Sequence, residues 1–422
     1  MAVSEEREKL FSADYILIMF SSSVHALMNQ FFLVAAPLYI SKLGGSTMQA
    51  GILATVYSMT ALAARPVSGI ISDRMGRVKL LIAGAALCGV TCALIGFTAV
   101  LPLLLVIRGI AGIGFGVHST CAGAAAADVL PKSRLAEGIG YFGLYATAAQ
   151  AIGPGVALAI IAGDRMSDYR MLFLLTAGLC AASAITNSCI SYERKRKKQS
   201  ADVEAPRSGE VNAGRTVSPP DDASYDGKQL PKTLLGFEYA VFAPVAVLIL
   251  LQTGVSGIMV FLAPFARWKE IGNPGVYYAV SAVGTVISRF LFGKVADRRG
   301  SDVIMIPSMI LLMASLAVLP MVGSIGALIA LGLPIGLAQG AAMPTINSMM
   351  FKRCSPARRG TASGAYFSAI DIGFAVGAPL LGAIADQWDF RVTYWAAAVF
   401  VAFALVLYLF ISTDRRYNRT PA

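Results

Sequence analysis

Apolar stretches long enough to cross a bilayer recur along the chain, separated by short polar breaks. A spanning helix needs about 20 such residues. On that spacing, helix 1 is expected over Tyr15–Ile40, helix 2 over Thr47–Ser72 and helix 3 over Lys79–Val100. Leu101-Pro102 forms a short turn, after which helix 4 continues to Val129. The turn from Pro131 to Glu137 leads into helix 5, which includes Gly153-Pro154-Gly155, and helix 6 follows over Arg170–Ser191. Helices 7 to 12 are expected over Phe237–Ala266, Gly275–Ala296, Val303–Val322, Ile325–Phe351, Thr361–Ala385 and Val392–Ile411. The ten-residue alternation of a membrane β-barrel is absent. The pattern predicts an all-α polytopic membrane protein with twelve transmembrane helices.

Between helices 6 and 7 the pattern lapses. From Tyr192 to about Lys232 a basic run (E-R-K-R-K-K, starting at Glu193) gives way to Ser, Pro, Gly, Asp and Glu. Too few apolar residues remain there to offset the entropy of ordering. The chain is therefore expected to divide into a six-helix bundle over 1–191, a flexible linker over 192–236 and a second bundle over 237–422. A basic run beside a helix end suits anionic lipid headgroups better than nucleic acid.

Composition sharpens this picture. The chain is 56% hydrophobic and only 14% charged, against about 25% charged in soluble domains. Its net charge of +11 follows the membrane rather than a polyanion. With both termini, the turn after helix 2 and the linker on one side, 26 of the 35 Lys and Arg fall on that side. The positive-inside rule then puts both termini in the cytoplasm. Five of the six cysteines lie in hydrophobic spans, so no disulfide framework is implied. Cys88 and Cys92 share a helix face, as small apolar packing residues would. The N-terminus shows no signal-peptide pattern, so helix 1 is expected to stay in the protein. No P-loop, catalytic triad or metal-ligand set stands out, so neither an ATP-driven pump nor an enzyme is indicated, and no cofactor.

Two of the breaks are alike. Arg65 to Lys79 reads R-P-V-S-G-I-I-S-D-R-M-G-R-V-K, and Arg289 to Ser301 reads R-F-L-F-G-K-V-A-D-R-R-G-S, at an offset of 224 residues. Gly112 and Gly336, Arg134 and Arg358, and Gly140 and Gly364 share that offset. Glycine at Gly69 and Gly76 lets backbones approach closely and lets the turn take positive φ. This repeated Gly–Asp–Arg–Gly turn resembles the signature of the major facilitator superfamily, which joins helices 2 and 3 and, in weaker form, helices 8 and 9. The resemblance covers nearly the whole chain outside the linker. It implies two related six-helix bundles.

The same resemblance implies a gate. Its candidate residues are Gly69, Asp73, Arg74, Gly76, Arg77 and Asp128, with Gly293, Asp297 and Arg298 in the second copy. In the family, the first turn packs against the start of helix 11, where a carboxylate gains roughly 0.3–1 kcal/mol, or ~2 if partly buried. A capped, solvated turn is the plainer alternative. Arg108, with Leu104, Gly112 and Gly114, resembles a second motif, linked to proton-coupled members. Snorkelling to the surface is its alternative. Gly140, Gly153 and Pro154 resemble part of an exporter motif on helix 5, with Ala149 and Ala157 replacing two of its glycines.

Asp371 is the one acid placed near the middle of a helix. An ionised carboxylate there is costly and marks a functional site. It is the candidate proton carrier, tuned by Arg108 or by His25 or His118. A fixed pairing with Arg108, Arg289 or a backbone group is the alternative. His25, Asn29, His118, Gln252, Gln339 and Asn347 lie on helices 1, 4, 7 and 10, which line the central cavity in the family. The resemblance implies a monomeric, proton-coupled exporter of small amphipathic organic compounds in the bacterial inner membrane. Its partners would be that substrate, protons and lipid. T-A-x-x-x-R-P-x-x-G (Thr60 to Gly69) and E-G-I (Glu137 to Ile139) also look like bacterial exporters of opine-type metallophores. A sugar exporter, a passive facilitator and a substrate sensor on a transporter fold stay open.

Overall fold

The computed structural model describes residues 10–131, 134–194, 224–225, 228–229, 233–234, 237–354 and 359–413. Twelve helices account for nearly all of these residues. They are α1 (Ala13–Lys42), α2 (Thr47–Met75), α3 (Arg77–Gly96), α4 (Leu101–Val129) and α5, which is built in two pieces (Leu135–Phe142 and Leu144–Ile160). After these come α6 (Met166–Ser188), α7 (Tyr239–Trp268), α8 (Gly275–Arg299), α9 (Asp302–Val318), α10 (Ile325–Arg353), α11 (Arg359–Gln387) and α12 (Phe390–Thr413). Nine of the described helices are long and apolar enough to cross a membrane without help. The other three are α2 and α8, which carry the charged turns, and α5, which is broken at Gly143.

Local chemistry sets the ends. Ser46 caps α2: its Oγ accepts from the Gln49 amide at 3.2 Å, and the Ser46 amide donates to Gln49 Oε1 at 2.9 Å. Ser12 and Ser324 accept from Tyr15 and Ala327 in the same manner. Helix α6 starts four residues before the expected Arg170. The charged turn that hydropathy reads as loop is a cap, with the Arg165 amide donating to Asp168 Oδ2 at 3.0 Å. Helix α9 stops early, because Pro320 opens a 3₁₀ turn over Leu319–Met321. The expected linker holds a minimal antiparallel ladder, Ser224–Tyr225 with Lys228–Gln229, and a second ladder pairs Thr233–Leu234 with Phe237–Glu238, so α7 starts at Tyr239 rather than at the expected Phe237. Apart from these strands and residues 192–194, the expected linker lies outside the described residues.

The internal repeat is visible in packing. Gly76 (φ 92°) separates α2 from α3, and Gly300 (φ 89°), 224 residues on, separates α8 from α9. Both sit where a side chain would be strained. On α4, a Cβ at Gly112 would collide with the Tyr57 carbonyl, and one at Gly116 with Ala61. On α10, Gly336 and Gly340 meet Ser281 and Thr285 in the same register. Small residues thus let α2 lie against α4, and α8 against α10, backbone to backbone. The first six and last six helices meet mainly along two seams, α2 with α11 and α5 with α8, and α1 also touches α7. Gly69 departs from expectation: it is helical, and a Cβ there would meet no described atom within 4 Å.

Candidate functional site

The α2–α11 seam carries a charged pair. Arg65 Nη1 lies 2.7 Å from Asp371 Oδ2, with about a fifth of each side chain exposed. The guanidinium also sits 5.8 Å from the Phe367 ring centre. The partner of Asp371 is therefore Arg65, not the expected Arg108 or Arg289. Arg289 is exposed on α8. Arg108 is buried on α4 between the rings of Phe32 and Tyr57, 4.1 and 3.6 Å from their centres. Its charge is met by two π-faces. Arg65 lies within α2, and nothing along that helix in the sequence indicates a partner on α11.

Helices α1 and α4 bring the two histidines together. The rings of His25 and His118 stack at 3.5 Å between centres, tilted by 11°. His118 Nε2 is 2.8 Å from Ser21 Oγ, which is 2.7 Å from Ser183 Oγ on α6. His25 Nδ1 faces the Ser21 carbonyl at 2.9 Å. A carbonyl only accepts, so the proton of neutral His25 sits on Nδ1. Its Nε2 is then a buried acceptor with no donor among the described residues. Both rings border a cavity of about 140 Å³ between α1, α4 and α5, with Asn29, Gln30, Phe115, Ser119 and Tyr145. Its lining is mostly apolar, through Ala26, Phe115, Ala122 and Ala146, with uncharged polar groups set among them.

Of the six residues expected to line one cavity, His25, Asn29 and His118 border this one. Gln252, Gln339 and Asn347 do not. Gln252 is buried on α7 against Gly373 of α11. On α10, Gln339 Nε2 and Asn347 Oδ1 are buried without a partner among the described residues. Gly153 meets α1 closely, since a Cβ there would fall 2.7 Å from Gln30 Cβ. Pro154 follows it inside α5.

At the end of the protein that holds Gly76, Arg77 pairs with Asp128 and donates to the Ala124 carbonyl at 2.6 Å. Glu193, just past α6, accepts from the Arg77 and Val78 amides at 2.5 and 3.3 Å and so caps α3. Sequence reading had placed Glu193 in the linker. Arg74 is exposed. The side chains of Asp73, Asp297 and Arg298, and the surroundings of Gly140 and Gly293, lie outside the described residues.

The opposite end holds contacts that sequence reading missed. Asp386, near the end of α11, accepts from the Thr47 and Met48 amides at the start of α2, both at 2.7 Å. Asp164, in the α5–α6 turn, takes Arg267 of α7 at 2.5 Å and Lys42 of α1 at 3.1 Å. Read as sequence, these are ordinary loop charges. Only the fold brings them across the seams.

Comparison with known proteins gives this architecture its family. The profile described as Major Facilitator Superfamily matches residues 18–275 and 245–422. The staphylopine export protein of Staphylococcus aureus is 23% identical over 397 residues, covering 93% of this chain and 94% of that one. Multidrug resistance protein MdtG of Proteus mirabilis is 25% identical over 381 residues, covering 88% of each. A bacterial homolog of the human lysosomal transporter Spinster shares the fold with a TM-score of 0.74 at 16% identity, over 98% of this chain and 100% of that one. The nucleoside transporter NupG does so at 0.72 and 12%, over 96% and 100%. With its two repeated six-helix sets and a family match along almost its whole length, the chain belongs to the major facilitator superfamily of membrane transporters.

Proposed function

We propose that this transporter exports small amphipathic organic compounds by alternating access, driven by a proton gradient. One observation carries the coupling: Asp371 faces Arg65 across the α2–α11 seam at 2.7 Å. A proton on Asp371 cancels half of that pair and loosens α2 from α11. Loss of the proton restores the attraction. Protonation and helix contact are thus linked at one point. Moving one charge through the full membrane potential is worth about 2.3 kcal/mol per 100 mV, so a carrier must be reached in turn from each side. Arg108 contributes fixed positive charge nearby, held by Phe32 and Tyr57.

The outward direction is supported by two relatives, an export protein and a multidrug resistance protein, that this chain matches over most of their length. Gly153 and Pro154 on α5 support it from the sequence. The largely apolar cavity beside His25 and His118, with a few uncharged polar groups, suits an organic substrate that is apolar in part and hydrogen-bonding in part. Export of a polar metabolite is the second reading, favoured by the similarity to a staphylopine exporter. In both readings the protein acts as a monomer in the bacterial inner membrane. Its termini and the Gly76 end face the cytoplasm, and the Lys42 end faces out. Asp73, Arg74, Arg77 and Asp128 would form the cytoplasmic gate, with Asp297 and Arg298 as its weaker copy.

The test uses the purified protein in liposomes. Asp371→Asn is expected to abolish export driven by a pH gradient while keeping substrate binding and downhill exchange. Uphill, proton-driven transport by that variant at wild-type rates would place the carrier elsewhere, with His25 and His118 next.

A further inference from the structure

The four free amides that begin a helix need acceptors. In α2 they are fully accounted for, in an unusual way. The Ser46 amide donates to Gln49 Oε1, and the Gln49 amide donates to Ser46 Oγ. The two between them, Thr47 and Met48, donate to Asp386, one to each carboxylate oxygen. Asp386 belongs to α11, in the other half of the protein. By contrast, Asp389 caps its own helix, accepting from the Arg391 and Val392 amides at 2.7 and 3.0 Å.

The backbones around Asp386 are shaped for this contact. A Cβ at Gly382 would fall 2.7 Å from the Thr47 carbonyl oxygen, and one at Gly51 would fall 2.6 Å from Pro379 Cα. One turn further along, Thr55 donates to the Ala375 carbonyl at 2.6 Å. A second clasp lies at the same end of the protein. Asp164, from the first half, takes Arg267 from the second, and Lys42 and the Tyr169 hydroxyl of its own half hold the carboxylate from behind. Below it, Gly275 at the start of α8 sits 3.6 Å from where a Gly155 Cβ would be.

We infer that Asp386 and the Asp164–Arg267 pair form a two-point latch that closes the Lys42 end of the transport pathway. Each clasp joins opposite halves: Asp386 ties α11 to α2, and Asp164 ties the α5–α6 turn to α7, next to where α5 meets α8 at Gly155 and Gly275. Opening at that end strips Thr47 and Met48 of their acceptor and parts Asp164 from Arg267, so both clasps must break together. A carboxylate at a helix N-terminus is favoured by the helix dipole as well as by its hydrogen bonds. The closed arrangement is therefore held by charged polar contacts between the halves. Asp386 and Asp164 are positioning residues of the transport cycle, acting through the helices they tie. This rests on alternating access, but not on proton coupling or on the substrate.

Spin labels at Ser167→Cys and Asn273→Cys, in a Cys189→Ser background, report the distance across the Asp164–Arg267 seam in the full-length protein. Wild type is expected to show mainly one short distance. Asp386→Ala should add a longer one, raising the open-to-closed ratio about 5- to 30-fold. Arg267→Gln should act in the same direction from the other seam, and it carries the test if Asp386→Ala folds poorly. Unchanged distance distributions in both variants, whatever their thermal stability, would overturn the latch. A pH-gradient transport assay on wild type reads the functional proposal separately, so the two can fail independently.

Discussion

Arg65 and Asp371 meet at 2.7 Å although they lie on helices of opposite halves, more than 300 positions apart in the chain. Neither is satisfied by a neighbour on its own helix. Removing one partner leaves the other charged and poorly solvated, which is worse than removing both. Arg65→Gln and Asp371→Asn should therefore each lower thermal stability, and the double variant should recover part of the loss. The coupling energy is expected at about 1–3 kcal/mol. Additive losses in a melting series would show that the pair is not energetically coupled.

Much of the architecture was legible because its causes are local. Helix number follows from apolar length, and the repeat follows from glycines at a constant offset. The turns at Gly76 and Gly300 have the positive φ that glycine permits. The seams were not legible. Asp386, Asp164 and Glu193 are polar residues near helix ends, and such residues ordinarily cap their own helix or face water. Nothing in their sequence neighbourhood says that their partners belong to another element. Arg65 is placed inside a span by the sequence, but its partner is not: its motif is read along α2, whereas Asp371 approaches from α11.

The packing of α2 on α4 predicts opposite outcomes for two glycines on one helix. A Cβ at Gly112 would strike the Tyr57 carbonyl, whereas one at Gly123 meets no described atom within 4 Å. Gly112→Ala should destabilise by about 1–3 kcal/mol through overpacking. Gly123→Ala should be neutral or gain up to about 1 kcal/mol of helix propensity. Thermal melts in detergent check both, and equal melting points would contradict the contact.

Asp164 gives the Lys42 end a defined acid response. Burial raises its carboxyl pKa. Hydrogen bonds from Arg267, Lys42 and Tyr169, with the charge of Arg267, outweigh that and hold it below the usual range. A depressed carboxylate favours the closed clasp at pH above its ordinary value, and that contribution is lost as pH falls through the lowered one. The spin-label distance should thus stay constant from pH 8 to about 5 and lengthen only below about pH 4. Asp164→Asn should start from the longer distance and show a smaller acid-side change, the remainder belonging to Asp386, the other carboxylate of the latch. A transition centred near neutrality that survives in Asp164→Asn would assign the response to another group.

Topology needs a reporter other than Cys354, which is buried at the end of α10. Single cysteines at exposed Arg74 and exposed Asn273 sit at opposite ends of the protein. In intact cells an impermeant thiol reagent should label Asn273→Cys and miss Arg74→Cys until the membrane is opened. The reverse pattern would invert the proposed orientation and, with it, the direction of transport.

His25 separates three roles by substitution. Its Nδ1 anchors to the Ser21 carbonyl at 2.9 Å, and its Nε2 has no described donor. Asparagine places an N–H near the Nδ1 position, and glutamine places its amide near Nε2. Neither takes up a proton in the working pH range. If the ring only braces α1 against His118, His25→Asn keeps transport and His25→Gln loses stability. If Nε2 receives a donor from the substrate, His25→Gln keeps the lower KM of the two. If His25 carries the coupling proton, both lose uphill export and keep downhill exchange. The buried Nε2 without a described donor and the cavity alongside favour the second role, since Asp371 already supplies a titratable group on the seam. His25→Asn is therefore expected to raise KM by about tenfold, the loss of roughly one hydrogen bond, with the proton dependence of export unchanged. Loss of proton dependence in both variants would move the carrier from α11 to α1.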